Sequence, residues 1–309
     1  MNHFFVLGCP RSGTTMLQQA LNRHSQIVIP PETKFFYYLY GRSRSCAARH
    51  VERLNGDVGI GLLPPAEPVR TAGEGRALFA EMARQYVQRL GREGVAWFGD
   101  KTPEHTSHAA RIREVFPAAK FIAILRDGRD VALSLSKMPW IECNLYVGML
   151  IWNHYQRALR RLREDPAIEL HHVRYEDLVA DPQPQLAGIL RFVDLDYEPP
   201  VAEGYGNREG IPERELAWKA RALDPIRPER TGNWRRELSG RQIQWLEHLG
   251  GRELTREGYA LVGANGTRFS PALATTLTWG LSRLVLHLPL ACLAREITTC
   301  VPRRVTRNA

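Results

Sequence analysis

Cysteine is scarce in this chain of 309 residues, and the few that occur form no known motif. They are odd in number and far apart, with no C-x-x-C pair, at Cys9, Cys46, Cys143, Cys292 and Cys300. This spacing excludes the usual zinc and dithiol redox motifs and offers no disulfide framework. We therefore expect free thiols in a reducing compartment and predict a cytoplasmic protein.

Two further features are missing. The N-terminal apolar run HFFVLG is too short for a signal peptide and leads directly into a glycine-rich loop, so we expect no signal peptide. No basic stretch is interleaved with aromatic residues, so nucleic acid is not an expected partner. The formal charge of +9 favours anionic ligands, although the arginines that carry it are spread along the whole chain.

The C-terminal part, residues 263–309, lacks the uninterrupted apolar run of a transmembrane helix because it contains Arg283 and His287. Leucines nevertheless recur there at steps of three or four residues, at Leu273, Leu277, Leu281, Leu284 and Leu288. This spacing predicts an amphipathic helix that ends near Pro289 and is followed by the basic run PRRVTR. The apolar face can pack on the main domain (1–262), on a second subunit, or on a membrane surface.

Short apolar runs alternate with helical patterns along the rest of the chain. The apolar runs predict buried strands at 3–8, 26–29, 95–99, 120–125 and 168–174. Helical stretches are predicted near 14–23, 33–40, 76–90, 105–115, 128–137, 147–163 and 184–193. The alternation predicts an α/β domain with a central parallel sheet of about five strands. Residues 41–75 and 199–230 show no clean period and are predicted to be long loops that shape the site.

The first predicted strand ends in the loop GCPRSGTT, residues 8–15. Its glycines fit the phosphate-binding pattern G-x-x-x-x-G-K-[ST], but Thr14 stands where that pattern has lysine. Such a loop directs backbone N–H groups and the positive end of a helix dipole at one spot, where an anion binds. Together with the parallel sheet it predicts a P-loop NTPase-like three-layer sandwich, and a tight turn without a ligand is the alternative.

Magnesium-dependent ATP chemistry is disfavoured by the same region. That chemistry uses the loop lysine and an acidic strand end for the metal, whereas strand 120–125 ends in Arg126 and only then Asp127. A metal-free anion, held by Arg11, hydroxyl groups and main-chain amides, fits the loop better. We predict that no metal is required.

Several motifs in this order resemble the PAPS-dependent sulfotransferases, closest to the tyrosylprotein-type and related bacterial branch. They are PRSGTT (10–15), PETKFF (31–36), GDKTP (99–103), FPAAKFIAILRDGRDVALS (116–134) and RYEDL (174–178). The resemblance covers roughly residues 3–195 and fades afterwards. It implies sulfuryl transfer from PAPS to an acceptor hydroxyl or amine, with adenosine 3′,5′-bisphosphate as the second product.

The resemblance also implies roles for individual residues. The first loop would bind the 5′-phosphosulfate through Arg11, Ser12, Gly13, Thr14 and Thr15, and a later strand and helix would bind the 3′-phosphate through Arg126 and Ser134. Tyr175 corresponds to a tyrosine that contacts the donor in relatives. The late loop RTGNWRREL would close over the 3′-phosphate with Arg230, Thr231 and Gly232.

The catalytic residues implied are Glu32, Arg11 and Lys101. From the residues alone, Glu32 is more simply a solvated carboxylate at a helix start, but in the resemblance the PET glutamate is the general base. Lys101 follows a strand at the edge where ligands usually bind, and the resemblance places it on the phosphosulfate. Lys34 departs from the arginine expected at its position.

Other polar residues receive structural interpretations, and two other functions stay open. Asp127 is predicted to be a helix cap and Arg129 to lie on a solvated face.

A Mg²⁺-dependent P-loop kinase of a small molecule would need ATP and metal, whereas a non-catalytic membrane-peripheral nucleotide-binding protein would bind without turnover. The acceptor, whether sugar, lipid, peptide tyrosine or metabolite, is not specified by the sequence.

Overall fold

The computed structural model describes residues 1–139, 141, 143–203, 206, 208–227, 229 and 231–262. A compact unit spans Met1–Leu261. The predicted C-terminal helix and basic tail, residues 263–309, lie outside the described residues, so the predicted domain boundary stays a prediction. Among the helices that the structure describes, none combines the length and apolar character needed to cross a membrane.

Five parallel strands form the central sheet of the described part of the chain. They are β1 (Asn2–Leu7), β2 (Ile27–Val28), β3 (Trp97–Lys101), β4 (Lys120–Leu125) and β5 (Leu170–Arg174). Their order in the sheet is β2-β3-β1-β4-β5, and every pairing is parallel. On β1, for example, Phe4 lies opposite Gly99 of β3 and Lys120 of β4. The predicted strands and their parallel arrangement are confirmed.

Both faces of the sheet are buried, which makes the domain a three-layer sandwich. Along β1, Phe5 and Leu7 belong to one apolar cluster, and Phe4 and Val6 belong to another. Successive side chains of a strand point to opposite faces, so each cluster fills one side of the sheet. This explains why the strands read as continuous apolar runs and not as alternating ones.

Helices cover both faces. They are α1 (Thr14–Leu21), α2 (Phe35–Tyr38), α3 (Arg44–Val58), α4 (Ala72–Arg89), α5 (Ala109–Val115), α6 (Gly128–Leu135), α7 (Leu145–Arg163), α8 (Tyr175–Ala180), α9 (Pro182–Phe192), α10 (Pro200–Glu203), α11 (Leu216–Lys219), α12 (Asn233–Glu237) and α13 (Gly240–Arg256). Three 3₁₀ segments span Pro103–His108, Glu213–Glu215 and Ala220–Leu223. Each predicted helical stretch contains a helix.

The prediction of a long loop over residues 41–75 was wrong. Helix α3 occupies fifteen of these residues, and its buried apolar positions recur at helical steps, at Ala47, Val51, Leu54 and Val58. Helix α4 begins inside the predicted loop as well, since Thr71 and Glu74 form a capping box at its start. The high arginine and glycine content concealed a regular apolar stripe.

Residues 199–230 match the loop prediction only in part, because α10, α11 and two 3₁₀ segments interrupt them. Helices α12 and α13 were not predicted. Helix α13 packs on α7 and α6, where Leu246 and Leu254 are fully buried. The described fold therefore extends well past the motifs that the sequence made recognisable.

Arg129, predicted to lie on a solvated face, is buried with an exposed fraction of 1%. Its guanidinium donates to Asp127 Oδ2 at 2.8 Å, to Glu247 Oε1 at 2.5 Å and to the carbonyl oxygen of Ala260 at 3.0 Å, and it lies 3.8 Å from the centroid of the Trp234 ring. A buried charge is stable when it is paired in this way. Asp127 is confirmed as the cap of α6, because its Oδ1 accepts from the Arg129 amide at 2.9 Å.

Candidate active site

The loop between β1 and α1 depends on its two glycines. A Cβ on Gly8 would lie 2.7 Å from the carbonyl oxygen of Ile124, and a Cβ on Gly13, whose φ is 97°, would lie 2.5 Å from Cδ2 of Tyr175. Arg11 between them also has a positive φ of 72°. The glycines therefore let the loop turn tightly against β4 and the Tyr175 ring.

Polar groups without a protein partner converge at the start of α1. Within the described residues, the amides of Gly13, Thr14 and Thr15 donate to no main-chain or side-chain acceptor, as expected for the first turn of a helix. The Ser12 hydroxyl is fully buried and also has no hydrogen-bond partner in this part of the chain. Such orphaned donors, at the positive end of a helix dipole, fit an anion.

A cavity of about 160 Å³ opens beside this loop. Its cationic lining residues are Arg11, Arg126, Lys137, Lys219 and Arg221, and its two carboxylates are Asp130 and Glu237. The excess of positive charge, in partly desolvated surroundings, favours a polyanionic ligand. Most of the lining comes from the loop, from α6 and from the segment around α11.

The Arg11 side chain spans the cavity. Its Nε donates to Ser134 Oγ of α6 at 3.1 Å, and its Nη1 donates to the carbonyl oxygen of Trp218 at 3.3 Å. Burial lowers the pKa of Arg11, and the charges of Arg126 and Arg221 lower it further. An anion in the cavity would offset this repulsion, so the arrangement is electrostatically complementary to one.

Arg126, predicted at the 3′-phosphate, lies next to Arg11 in the structure. Its Nη1 donates to the Arg11 carbonyl oxygen at 3.2 Å, its guanidinium stacks 4.2 Å from the centroid of the Tyr175 ring, and its Nη2 lies 3.7 Å from Asp130 Oδ2. The structure thus brings Arg11, Arg126, Ser134 and Tyr175 together around one cavity. Their individual roles remain predictions.

Glu32 lies between two lysines. Its Oε1 accepts from Lys101 Nζ at 2.5 Å and from Lys219 Nζ at 2.8 Å. Burial by itself would raise the pKa of this carboxyl, but Lys101, Lys219 and Lys34 together hold it well below its usual range. Glu32 is therefore a carboxylate at neutral pH.

Lys101, at the end of β3, connects Glu32 to the loop. Its side chain is fully buried, and besides Glu32 its Nζ reaches Thr15 Oγ1 at 3.4 Å. Burial lowers the pKa of Lys101 to about 8, because the partial compensation from Glu32 does not offset the loss of solvation. A lysine thus reaches the loop from the neighbouring strand.

The segment that carries Glu32 is fixed against the end of β3. The Thr33 hydroxyl donates to Asp100 Oδ2, and the Lys34 amide donates to Thr102 Oγ1 at 3.2 Å. Lys34 itself pairs with Glu104 at 2.9 Å, and its charge also lowers the pKa of Glu32. These bonds to β3 place the Glu32 carboxylate at the same sheet edge as the loop.

The late loop is described only in part. Arg230 lies outside the described residues, whereas Thr231 and Gly232 lie just before α12. The Gly232 amide donates to Asp130 Oδ2 at 2.8 Å, which attaches this loop to α6. The next residue, Asn233, lines the cavity. The loop therefore reaches the predicted 3′-phosphate side, although its own contacts with a ligand remain predicted.

Sequence reasoning missed Lys219. It lies in the aperiodic segment 199–230 and contacts Glu32 across 187 positions of the chain, so no local pattern indicates the pair. Its helical turn, α11, is too short to leave a periodic signal.

Comparison with known proteins relates this chain to sulfotransferases. A profile described as the sulfotransferase family matches residues 3–199. The nodulation protein NoeE of Sinorhizobium fredii is 27% identical over 291 residues, which cover 82% of this chain and 65% of that protein. Protein-tyrosine sulfotransferase 2 of Gallus gallus is 22% identical, with 82% of this chain and 68% of that protein covered. The chain thus spans about two thirds of the length of these relatives.

A solved structure has the same fold. The sulfotransferase domain from the curacin biosynthetic pathway superposes with a TM-score of 0.59 at 20% identity, and the match covers 84% of this chain and 99% of that domain. The shared region includes most of the described residues. The likeness confirms the predicted fold class.

Proposed function

The chain belongs to the sulfotransferase family, and we propose that it transfers a sulfuryl group from PAPS to a hydroxyl or amine of an acceptor, with Glu32 as general base. The observation that carries the proposal is the convergence of the anion cradle at α1 with the Glu32–Lys101 pair at one sheet edge. PAPS, when bound, supplies the sulfuryl group and a nucleotide leaving group. The common location of the anion cradle and the Glu32–Lys101 pair supports this assignment more strongly than any single sequence motif does.

The N–H and O–H groups of the loop that have no protein partner fit the 5′-phosphosulfate of PAPS. The amides of Gly13, Thr14 and Thr15 and the Ser12 hydroxyl would hold its anionic oxygens, and the planar fork of Arg11 would add charge-assisted hydrogen bonds. Arg126 and Ser134, with Thr231 and Gly232 nearby, would hold the 3′-phosphate. Such fixed donors stabilise developing charge without reorganising during the reaction.

Glu32 and Lys101 would have different roles, one as proton acceptor and the other as a neutralising charge. The Glu32 carboxylate takes the acceptor proton, which makes the acceptor atom a better nucleophile. The Lys101 ammonium neutralises negative charge that gathers on the leaving side. Because Glu32 is ionised at neutral pH, it can accept that proton without prior deprotonation.

Adenosine 3′,5′-bisphosphate is expected to raise the melting temperature. A ligand present at about 100 times its Kd adds about 2.7 kcal/mol to the free energy of unfolding. Thermal-shift measurements with this nucleotide, and with ATP plus Mg²⁺, test the proposal, as does a screen of labelled PAPS against mixed acceptors in EDTA. Stabilisation by Mg²⁺–ATP alone would contradict it and favour a P-loop kinase.

The activity is expected to fall as the pH rises through about 8. Lys101 carries its charge below its pKa of about 8 and loses it above that pH, so charge neutralisation weakens on the alkaline side. Lys101→Arg keeps the charge and should move this limb of the kcat/KM profile to higher pH.

The matched control is Lys34→Arg, because Glu104 raises the pKa of Lys34 despite the opposing effect of burial. That variant should leave the alkaline limb in place. If the limb stays near pH 8 in Lys101→Arg, Lys101 is not the group that titrates.

The described cysteines favour a cytoplasmic location for this activity. Cys9 and Cys143 are free thiols, and Cys9 is fully buried. Free thiols are typical of reducing compartments.

A further inference from the structure

Lys219 lines the cavity beside the loop and also contacts Glu32, the proposed base. It ends α11, has an exposed fraction of 9%, and lines the cavity together with Arg11 and Thr15. Its Nζ is 2.8 Å from Glu32 Oε1 and 2.5 Å from Glu215 Oε2. An ammonium group has three N–H donors, so two carboxylates leave a donor for a third partner.

The segment that carries Lys219 is attached to the phosphate-binding side of the fold. The side chains of Gln18 and Gln19 in α1 donate through Nε2 to the carbonyl oxygens of Gly210 and Glu209, at 3.1 Å and 2.7 Å. Arg11 donates to the carbonyl oxygen of Trp218, the residue before Lys219. The same elements that build the anion cradle therefore fix the position of Lys219.

We propose that Lys219 is a further catalytic residue, whose ammonium contacts the sulfuryl donor in the cavity and neutralises the leaving phosphate. The inference rests on the proposed function. Lys101 is fully buried beside Glu32, whereas Lys219 lines the cavity itself, so the two lysines occupy different positions relative to a ligand there.

In the sulfuryl transfer, each bond formed is matched by a bond broken, and these residues take up the proton and the charge. The acceptor oxygen or nitrogen forms a bond to sulfur while the bond from sulfur to the bridging oxygen of the 5′-phosphate breaks, and that electron pair stays on the phosphate. The acceptor proton goes to the Glu32 carboxylate. The charge that appears on the phosphate oxygen is what Lys219 and Arg11 neutralise.

Lys219→Met is expected to lower kcat by about 100-fold, the effect of removing one fixed donor to developing charge. The Kd of adenosine 3′,5′-bisphosphate, measured by calorimetry, should rise as well, because that product carries on its 5′-phosphate the full charge that Lys219 neutralises. Lys219→Arg, which keeps the charge, should recover most of the turnover. Glu213→Gln, an exposed position on the same segment, is the control and should match the wild type.

A pH profile separates this role from a merely structural one. Removing Lys219 leaves Glu32 with Lys101 and Lys34 as the cations that lower its pKa, so the acid limb of kcat/KM should move to higher pH in Lys219→Met. The melting temperature of each variant shows whether the segment is still folded. If Lys219→Met is unfolded, Lys219→Gln, a neutral polar side chain, replaces it, with the same expected shift of the acid limb and the same expected loss of kcat.

Two results would overturn the role of Lys219. One is a loss of kcat below tenfold in a folded Lys219→Met, and the other is a Kd of the bisphosphate that does not change in that variant. In either case a wild type that transfers labelled sulfate leaves the proposed function intact. A wild type that neither transfers sulfate nor binds the bisphosphate would refute the function itself.

Discussion

Glu32→Gln is expected to lower the turnover of sulfuryl transfer by about 100- to 10,000-fold, the usual contribution of a positioned general base. Glutamine keeps the shape of the side chain and can still accept from Lys101 and Lys219, but it cannot take the acceptor proton. Binding of adenosine 3′,5′-bisphosphate should stay close to that of the wild type. Steady-state kinetics with labelled PAPS and calorimetry with the bisphosphate measure the two quantities.

The control for this variant is Glu104→Gln. Glu104 also pairs with a lysine close by, Lys34 at 2.9 Å, but has no part in the proposed chemistry. We expect its turnover to lie within about threefold of the wild type. A fully active Glu32→Gln would remove Glu32 from the mechanism, and equal losses in both variants would indicate a general electrostatic effect.

Arg11→Lys is expected to cost about 3–4 kcal/mol of transition-state stabilisation, which is a 100- to 1000-fold loss in kcat. Lysine retains the positive charge but not the fork that reaches Ser134 and the Trp218 carbonyl oxygen together. The loss should appear mainly in kcat for PAPS turnover, with a smaller rise in KM.

Arg191→Lys serves as the control for Arg11→Lys, because Arg191 is exposed on α9, away from the cavity lining. Its kinetics should equal those of the wild type. If Arg11→Lys retains more than about a third of the wild-type kcat, only the charge matters at this position. The guanidinium geometry would then have no catalytic role.

The sheet could be predicted because burial on both faces leaves a strong mark on a strand. The runs FFVL (4–7) and FIAIL (121–125) are apolar throughout. Arg126 follows β4, and Lys101 ends β3, so the ends of parallel strands brought them to one edge. The grouping of Arg11, Arg126, Ser134 and Tyr175 follows from that rule and from the family resemblance.

What the sequence could not predict depends on partners far away in the chain. Lys219 acquires its position through bonds to Glu32, and its own segment has no period. Arg129 was assigned to a solvated face because arginine is rarely buried, and its distant partner Glu247 helps to make its burial stable. Helix α3 was missed because polar and charged residues outnumber its four buried apolar residues, Ala47, Val51, Leu54 and Val58.

The ion cluster at Arg129 determines how short a self-sufficient fragment can be. The family profile stops at residue 199, yet the guanidinium bonds to Glu247 and to the carbonyl oxygen of Ala260. Cutting the chain at the end of the profile would remove half of the counter-charge of this guanidinium together with the Trp234 ring on which it stacks. Any portion excised for fusion or recombination therefore has to keep residues up to 260.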